Sequence, residues 1–252
     1  MKIVYHDIQI SYEKYGNFKE TIVILPGWGE TKNTFYEIIS YLQKYYTVYL
    51  IIYPGFSDCP FPPHDLSMFD YAEAVIHFLN TLNIKSPYVI AHSFGGRIAI
   101  LLSSRYAIHI KRLILMDSAG IKPKRTLKKR VRTLLYKFLQ SCADLLSEKR
   151  RKKVKQTLFK KFASTDYFNL SPNMRNTFKQ IVNLDLTKYL SYIGTETLLI
   201  WGEKDLDTPI KDAYKMKKKI RGSEIITFVN GSHFCYLENP YVIIKIILSF
   251  FS

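Results

Sequence analysis

Cysteine is nearly absent from this sequence: Cys59, Cys142 and Cys235 are the three copies in 252 residues. An odd count suits no disulfide framework, and the spacings fit no metal-ligand pattern. Free thiols in a reducing compartment are expected, which points to the cytoplasm. Long apolar runs are missing too. No stretch approaches the ~18 consecutive apolar residues that a membrane-spanning helix needs. The opening Met1-Lys2-Ile3-Val4-Tyr5-His6-Asp7 has neither an apolar core nor a small-residue cleavage site, so no signal peptide is expected. Acidic residues are scarce in one place above all. Residues 121–161 hold two, Asp144 and Glu148, against 16 lysines and arginines, so this segment carries +14 of the net +16. The rest of the chain is close to neutral. Internal repeats, low-complexity tracts and linkers are also lacking.

What is present is an alternation of strands and helices, over a length that suffices for one large α/β domain or two small ones. Residues 2–4 and 8–15 read as an opening hairpin. Residues 21–25 form a short β-branched run, broken by Pro26-Gly27-Trp28-Gly29. A helix over 34–42 leads to a second buried strand, 46–52, ended by Pro54-Gly55. Residues 67–82 place Met68, Tyr71, Ala72, Val75, Phe78, Leu79 and Leu82 on one helical stripe. Ser67 and Asp70 at its start resemble a capping box with Asp in place of Glu. A third strand, 87–91, runs into a helix over 94–104, and a fourth strand covers 112–116. Residues 121–193 then show no convincing strand. Leu127, Val131, Leu134, Leu135, Phe138, Leu139, Cys142 and Leu145 recur at helical spacing, as do Val154, Leu158, Phe159 and Phe162. The alternation resumes with a strand at 196–201, a helix near 210–220, a strand at 224–229 and a last helix opened by Asn239-Pro240, an N-cap and N1 pair.

Buried strands separated by helices predict an α/β fold: a mainly parallel sheet with an antiparallel N-terminal hairpin and helices on both faces. The expected organisation is one domain over 1–252, with a helical cap inserted at approximately 121–193.

The chemistry concentrates in Tyr88-Val89-Ile90-Ala91-His92-Ser93-Phe94-Gly95-Gly96-Arg97. A buried strand passes into a helix with almost no connection, and Ser93 sits on the turn. So sharp a turn strains the backbone and requires small residues two before and two after the serine. Ala91 and Gly95 meet that need. The helix opening at Phe94 directs its positive dipole end at the same point.

On this segment the chain resembles the α/β-hydrolase fold family, and the resemblance extends from the opening hairpin to the final helix. Ala91 departs mildly from the family's usual Gly. Serine at 93 argues against the branches that use Asp there, the haloalkane dehalogenases and epoxide hydrolases. The resemblance implies a base in Asn230-Gly231-Ser232-His233-Phe234, followed by the family-like Leu237-Glu238-Asn239-Pro240. That base is His233. His92 adjoins Ser93, but its side chain should point elsewhere, and His6, His64, His77 and His109 fall at surface or helix positions. The orienting acid is sought in Trp201-Gly202-Glu203-Lys204-Asp205-Leu206-Asp207-Thr208-Pro209. Asp205 matches the family's Gly-x-x-Asp-x-x-x-Pro pattern. Asp207 is its neighbouring competitor, and Asp117, after the 112–116 strand, is the rarer alternative. The order Ser, Asp, His agrees with this fold.

Acyl transfer places negative charge on a carbonyl oxygen, which fixed N–H donors must receive. The resemblance implies the backbone N–H of Phe94 and that of Trp28 as the oxyanion hole. Pro26-Gly27-Trp28-Gly29 resembles the family's His-Gly-x-Gly, with Pro26 in place of His; a plain tight turn is the other reading. The Trp28 side chain is expected to line the pocket. Tyr53-Pro54-Gly55-Phe56-Ser57-Asp58 resembles a family loop, departs from it at Ser57 and Asp58, and reads as structural.

The expected activity is a serine hydrolase cleaving a carboxylic ester or related acyl compound through an acyl-enzyme on Ser93, Asp205 and His233, with no metal or organic cofactor. Hydrolysis of a carbon–carbon bond or a thioester is the alternative within enzymes. A slow-turnover signalling receptor on the same scaffold is the alternative outside them. The expected partner is a small-molecule acyl substrate. The basic cap reads first as a solvated face, next as a surface recruiting an anionic substrate or, less favoured, a membrane surface. No nucleic-acid motif accompanies it.

Overall fold

The computed structural model describes residues 1–123, 134–136, 138–139, 141, 143–144, 147–162 and 170–252. Eight strands form one sheet: β1 (Lys2–Tyr5), β2 (Ile8–Tyr15), β3 (Thr21–Leu25), β4 (Thr47–Ile52), β5 (Tyr88–His92), β6 (Leu113–Met116), β7 (Thr197–Gly202) and β8 (Glu224–Phe228). Their order is β1-β2-β4-β3-β5-β6-β7-β8. The pairs β1–β2 and β2–β4 are antiparallel, and every pair from β4 to β8 is parallel. The hairpin therefore caps one edge of a parallel sheet, as the pattern predicts.

Burial explains why the parallel strands lack polar alternation. β3 to β7 are buried on both faces, and successive residues supply opposite layers. Ile22, Ile24, Val48, Leu50, Ile90, Ile114 and Ile200 meet α1 (Lys32–Leu42) and the last helix (Pro240–Phe251) in one cluster. On the opposite face, α2 (Met68–Thr81) packs against α3 (Phe94–Ser104), and the Phe78 ring meets Tyr12 and Tyr49. The α2 stripe is buried from Met68 through Leu79, and only Leu82, at the C-cap, is half-exposed. The capping box at its start is formed. Ser67 Oγ accepts the Asp70 N–H at 3.3 Å, and the Asp70 carboxylate accepts the Ser67 N–H at 2.7 Å.

The chain divides into two compact units. One comprises Met1–Lys122 and Leu184–Ser252, the other Pro123–Asn183. The second contains α4 (Glu148–Phe162), a 3₁₀ turn (Pro172–Met174) and α5 (Arg175–Asn183), and among its described residues there is no strand. Both acids of the basic segment are paired, Glu148 with Lys152 at 3.0 Å and Asp144 with Lys155 at 2.5 Å. Leu134, Leu135 and Phe138, three of the apolar residues at helical spacing, are exposed. Lys128, Lys129, Arg132, Leu127, Val131, Cys142 and Leu145 lie outside the described residues. Among the described residues no helix is long and apolar enough to cross a membrane.

Candidate active site

β5 ends at His92 and α3 begins at Phe94, so Ser93 alone makes the connection. Its backbone stands at φ 46°, ψ −111°. That region costs a non-glycine residue of order 1–3 kcal/mol and persists only where its surroundings enforce it. Three hydrogen bonds do so. The Ser93 N–H donates to Met116 O at 3.1 Å, and the Ser93 carbonyl accepts from Gly96 and Ala119, both at 3.0 Å. Gly95 is required by contact: a Cβ there would lie 2.0 Å from Leu25 O and 2.7 Å from Pro26 O. The start of α3 thus presses directly on the end of β3, where the Pro26–Gly29 loop begins. Gly96, which the sequence pattern passes over, is as tightly placed, since its Cβ would fall 1.9 Å from Ser118 Oγ.

Three distant segments meet at this turn. His233 Nε2 lies 2.9 Å from Ser93 Oγ, and His233 Nδ1 lies 2.7 Å from Asp205 Oδ2. The Asp205 carboxylate is buried and fully engaged. Its Oδ1 accepts the N–H groups of Asp207 at 2.7 Å and Thr208 at 2.9 Å, and its Oδ2 accepts the Thr208 hydroxyl at 2.6 Å. Burial alone would raise its pKa, but the bonds from His233 and Thr208 outweigh that and hold the carboxyl below its ordinary range. Thr208 is a residue the sequence reading missed; its hydroxyl also reaches Asp117 O at 2.9 Å and thereby ties the Asp205 loop to the end of β6.

The two competing acids do not bond His233. Asp207 is exposed and offers its main chain, not its carboxylate, to Asp205. Asp205, Asp207 and His233 are the one group of three potential metal ligands among the described residues, with atoms within 4.8 Å of one another. The Asp205 oxygens are already occupied by hydrogen-bond donors. Asp117 is fully buried and accepts from Gly202 N–H at 2.8 Å and from the Cys235 thiol at 3.0 Å. Burial, against those two bonds, raises its pKa to about 6. The unfolded carboxyl releases its proton near pH 4, so between about pH 4 and 6 the folded state keeps a proton that the unfolded state has lost. Stability therefore falls as pH rises through that window and is level above it. Asp117→Asn holds no titrating proton, so its urea-unfolding free energy is expected to lack this fall.

His92, adjacent to Ser93, does turn away. Its ring is buried, with Nδ1 2.5 Å from Glu30 Oε1 and Nε2 2.8 Å from the main-chain carbonyl of His233. Burial opposes charge on both partners, yet each stabilises the charged form of the other: the His92 pKa is raised and that of Glu30 is lowered. Nothing local in the sequence announces this pair, because 62 residues separate its members.

Phe94 opens α3, where the first N–H groups have no intrahelical acceptor. Trp28 sits in a turn closed by the Glu30 N–H to Gly27 O at 3.3 Å. The Trp28 and Phe94 rings meet edge-on at 5.2 Å, so the two expected oxyanion residues are neighbours. Phe56 packs against Trp28 at 4.8 Å, in keeping with a structural role for its loop, where Ser57 adopts φ 46°. Cys59 and Cys235 are free and buried; the Cys59 thiol donates to Gln9 O at 3.2 Å.

The sequence profile of the alpha/beta hydrolase fold matches residues 20–240. A protein of Wigglesworthia glossinidia brevipalpis named pimeloyl-(acyl-carrier protein) methyl ester esterase is 26% identical over 257 residues, covering 93% of this chain and 95% of its own. A Pseudomonas putida protein named 2-hydroxy-6-oxononadienedioate/2-hydroxy-6-oxononatrienedioate hydrolase 1 is 24% identical over 268 residues, covering 97% and 92%. Among solved structures, a meta-cleavage product hydrolase from Pseudomonas fluorescens IP01 matches with a TM-score of 0.73 at 19% identity, over 100% of this chain and 97% of its own. At that identity the likeness bears on the fold.

Proposed function

This chain belongs to the α/β-hydrolase fold family, and on that premise we propose that it is a serine hydrolase that cleaves a carboxylic ester or related acyl compound through an acyl-enzyme. One observation carries the reading. A continuous hydrogen-bonded line runs from Ser93 Oγ through the His233 ring to Asp205 Oδ2, and it starts on a strained turn.

The chemistry follows from the donors and acceptors. Ionised Asp205 takes the Nδ1–H of His233, which leaves Nε2 free to accept the Ser93 proton. Ser93 Oγ attacks the substrate carbonyl carbon while His233 takes that proton. The carbonyl oxygen becomes an oxyanion, received by the N–H groups of Trp28 and Phe94. Collapse breaks the bond to the leaving alcohol, which departs with the proton from His233. Water then gives a proton to His233 and attacks the acyl carbon. Collapse of this second intermediate breaks the bond to Ser93 Oγ, which takes the proton back from His233 as the acid leaves. None of these steps calls for a metal or organic cofactor.

A second reading, carbon–carbon bond hydrolysis on the same residues, is favoured by the name of the Pseudomonas putida relative. A panel of p-nitrophenyl esters, acyl thioesters and a diketone-like acid separates the two. The expected result is the highest kcat/KM on an ester, and exclusive turnover of the diketone would replace the first reading with the second.

We read residues 121–193 as a helical insertion in a single domain that governs substrate choice, its +14 segment recruiting anionic substrates. Exposed charges are screened over a Debye length of about 10 Å at 0.1 M salt. The kcat/KM for a carboxylated ester is therefore expected to fall with salt while that for a neutral ester of similar size holds. Reversing Lys128, Lys129 and Arg132 to Glu takes six charges off the +14 and should shrink the difference, and parallel salt curves for the parent protein would overturn this reading.

A further inference from the structure

Beside the line from Ser93 to Asp205 lies a second buried network that contributes no atom to it. The Glu30 carboxylate holds the front of the Trp28 turn, because its Oε2 accepts the Gly27 N–H at 2.5 Å. Its Oε1 meets His92 Nδ1 at 2.5 Å and accepts the Tyr236 hydroxyl at 3.2 Å. The other face of the His92 ring reaches the carbonyl of His233 at 2.8 Å. Three segments converge on one imidazole: the turn carrying Trp28, the residue preceding Ser93, and the loop carrying His233.

We propose that His92 and Glu30 form a positioning unit that fixes the Trp28 turn and the His233 main chain relative to Ser93. The proposal rests on the serine-hydrolase reading.

Protonation logic supports it. His92 Nδ1 lies against the Glu30 carboxylate and Nε2 against the His233 carbonyl, so with Glu30 ionised a charged ring has an acceptor beside each nitrogen. The groups facing the ring from packed elements are Glu30, Asp117, the His233 ring at 4.8 Å, the Tyr236 ring at 4.8 Å and the Phe234 ring at 5.5 Å. Glu30 is the partner in contact. The His92 side chain is 0% exposed and that of Glu30 7%. Stability alone explains such a pair poorly, because taking two charges out of water costs about as much as their attraction returns, and apolar residues of similar volume often serve as well. What apolar residues cannot do is hold the Gly27 N–H and the His233 C=O at once. A shift of about 1 Å in such groups can cost ~10²-fold in rate.

The test compares Glu30→Ala with Glu30→Gln at a temperature well below unfolding. Glu30→Ala releases both the turn and the ring, and kcat is expected to fall by roughly 10- to 100-fold with KM little changed. Gln restores the geometry with neutral groups: its carbonyl accepts the Gly27 N–H, and its amide donates to His92 Nδ1. It should recover most of the lost kcat. A Glu30→Ala enzyme with parental kcat, or a Glu30→Gln enzyme as slow as Glu30→Ala, would overturn the proposal. Should Glu30→Ala not fold, Glu30→Gln/His92→Phe serves instead. It fills the ring volume, leaves no lone buried charge and removes the donor to the His233 carbonyl, so kcat should drop similarly; unchanged kcat overturns the proposal. The rate of fluorophosphonate labelling is read in parallel. Parental protein that labels while the variants label equally fast defeats the positioning role alone. Parental protein that does not label defeats the serine-hydrolase reading together with it.

Discussion

Replacing Ser93 with alanine is expected to lower ester turnover by at least ~10³-fold, with a normal far-ultraviolet spectrum and an unfolding midpoint near that of the parent. A large effect is expected because, in the proposed mechanism, the hydroxyl is the one atom on which His233 and Asp205 act. With Oγ gone, the His233 ring has no proton to take at 2.9 Å, and Asp205 orients a base with nothing to activate. The fold is spared because the three backbone bonds that hold residue 93 at φ 46° involve no side-chain atom, and alanine keeps the Cβ. A residual rate over water is expected from the proposed Trp28 and Phe94 donors and from substrate binding. Parental turnover in this variant would remove Ser93 from the chemistry.

Asp205→Asn is expected to cost up to roughly 10⁴-fold, through a proton in the wrong place. An asparagine amide can donate to His233 Nδ1. The ring then carries its own proton on Nε2, the nitrogen that must accept from Ser93. Packing changes little, since asparagine is isosteric and its carbonyl can keep the Asp207 and Thr208 N–H bonds. Asp207→Asn should do far less, because that exposed carboxylate is not what orients the ring. Steady-state kinetics of these variants beside Asp117→Asn separates the three carboxylates. A large loss in Asp117→Asn with little in Asp205→Asn would move the acid to the end of β6.

How much of this was legible in the sequence follows from the range of the interactions. The strands of the parallel sheet stand out as apolar runs, because each is covered on both faces and has no reason to alternate. The helix over 68–81 is announced by its stripe and its capping box, both local signals. The turn at Ser93 is legible because contact distance forces its composition: Gly95 lies against Leu25 O, so no larger residue fits. The same force acts on Gly96, against Ser118, but Gly96 falls outside the small-x-Ser-x-Gly spacing that marks the turn, so nothing in the pattern singles it out. His92 and Glu30 are illegible too. Each reads as an ordinary polar residue until the sheet brings their segments together. Thr208 carried a faint signal, a hydroxyl three residues after Asp205 on the way into a helix, where side-chain bonds to nearby backbone are common. The four-residue helix Cys235–Glu238 is too short to show a period, so the chain after His233 reads as a loop leading to Pro240. The start of α1 at Lys32, two residues ahead of the expected one, reflects a turn whose N-cap, Thr31, makes no side-chain cap bond.

The most direct test of the central claim, that Ser93 forms the covalent intermediate, is to incubate the protein with a fluorophosphonate and locate the adduct by peptide mass spectrometry. The account predicts one adduct per chain, on Ser93, formed more slowly in Asp205→Asn and absent from Ser93→Ala. An adduct on another residue, or labelling that persists undiminished in Ser93→Ala, would contradict it.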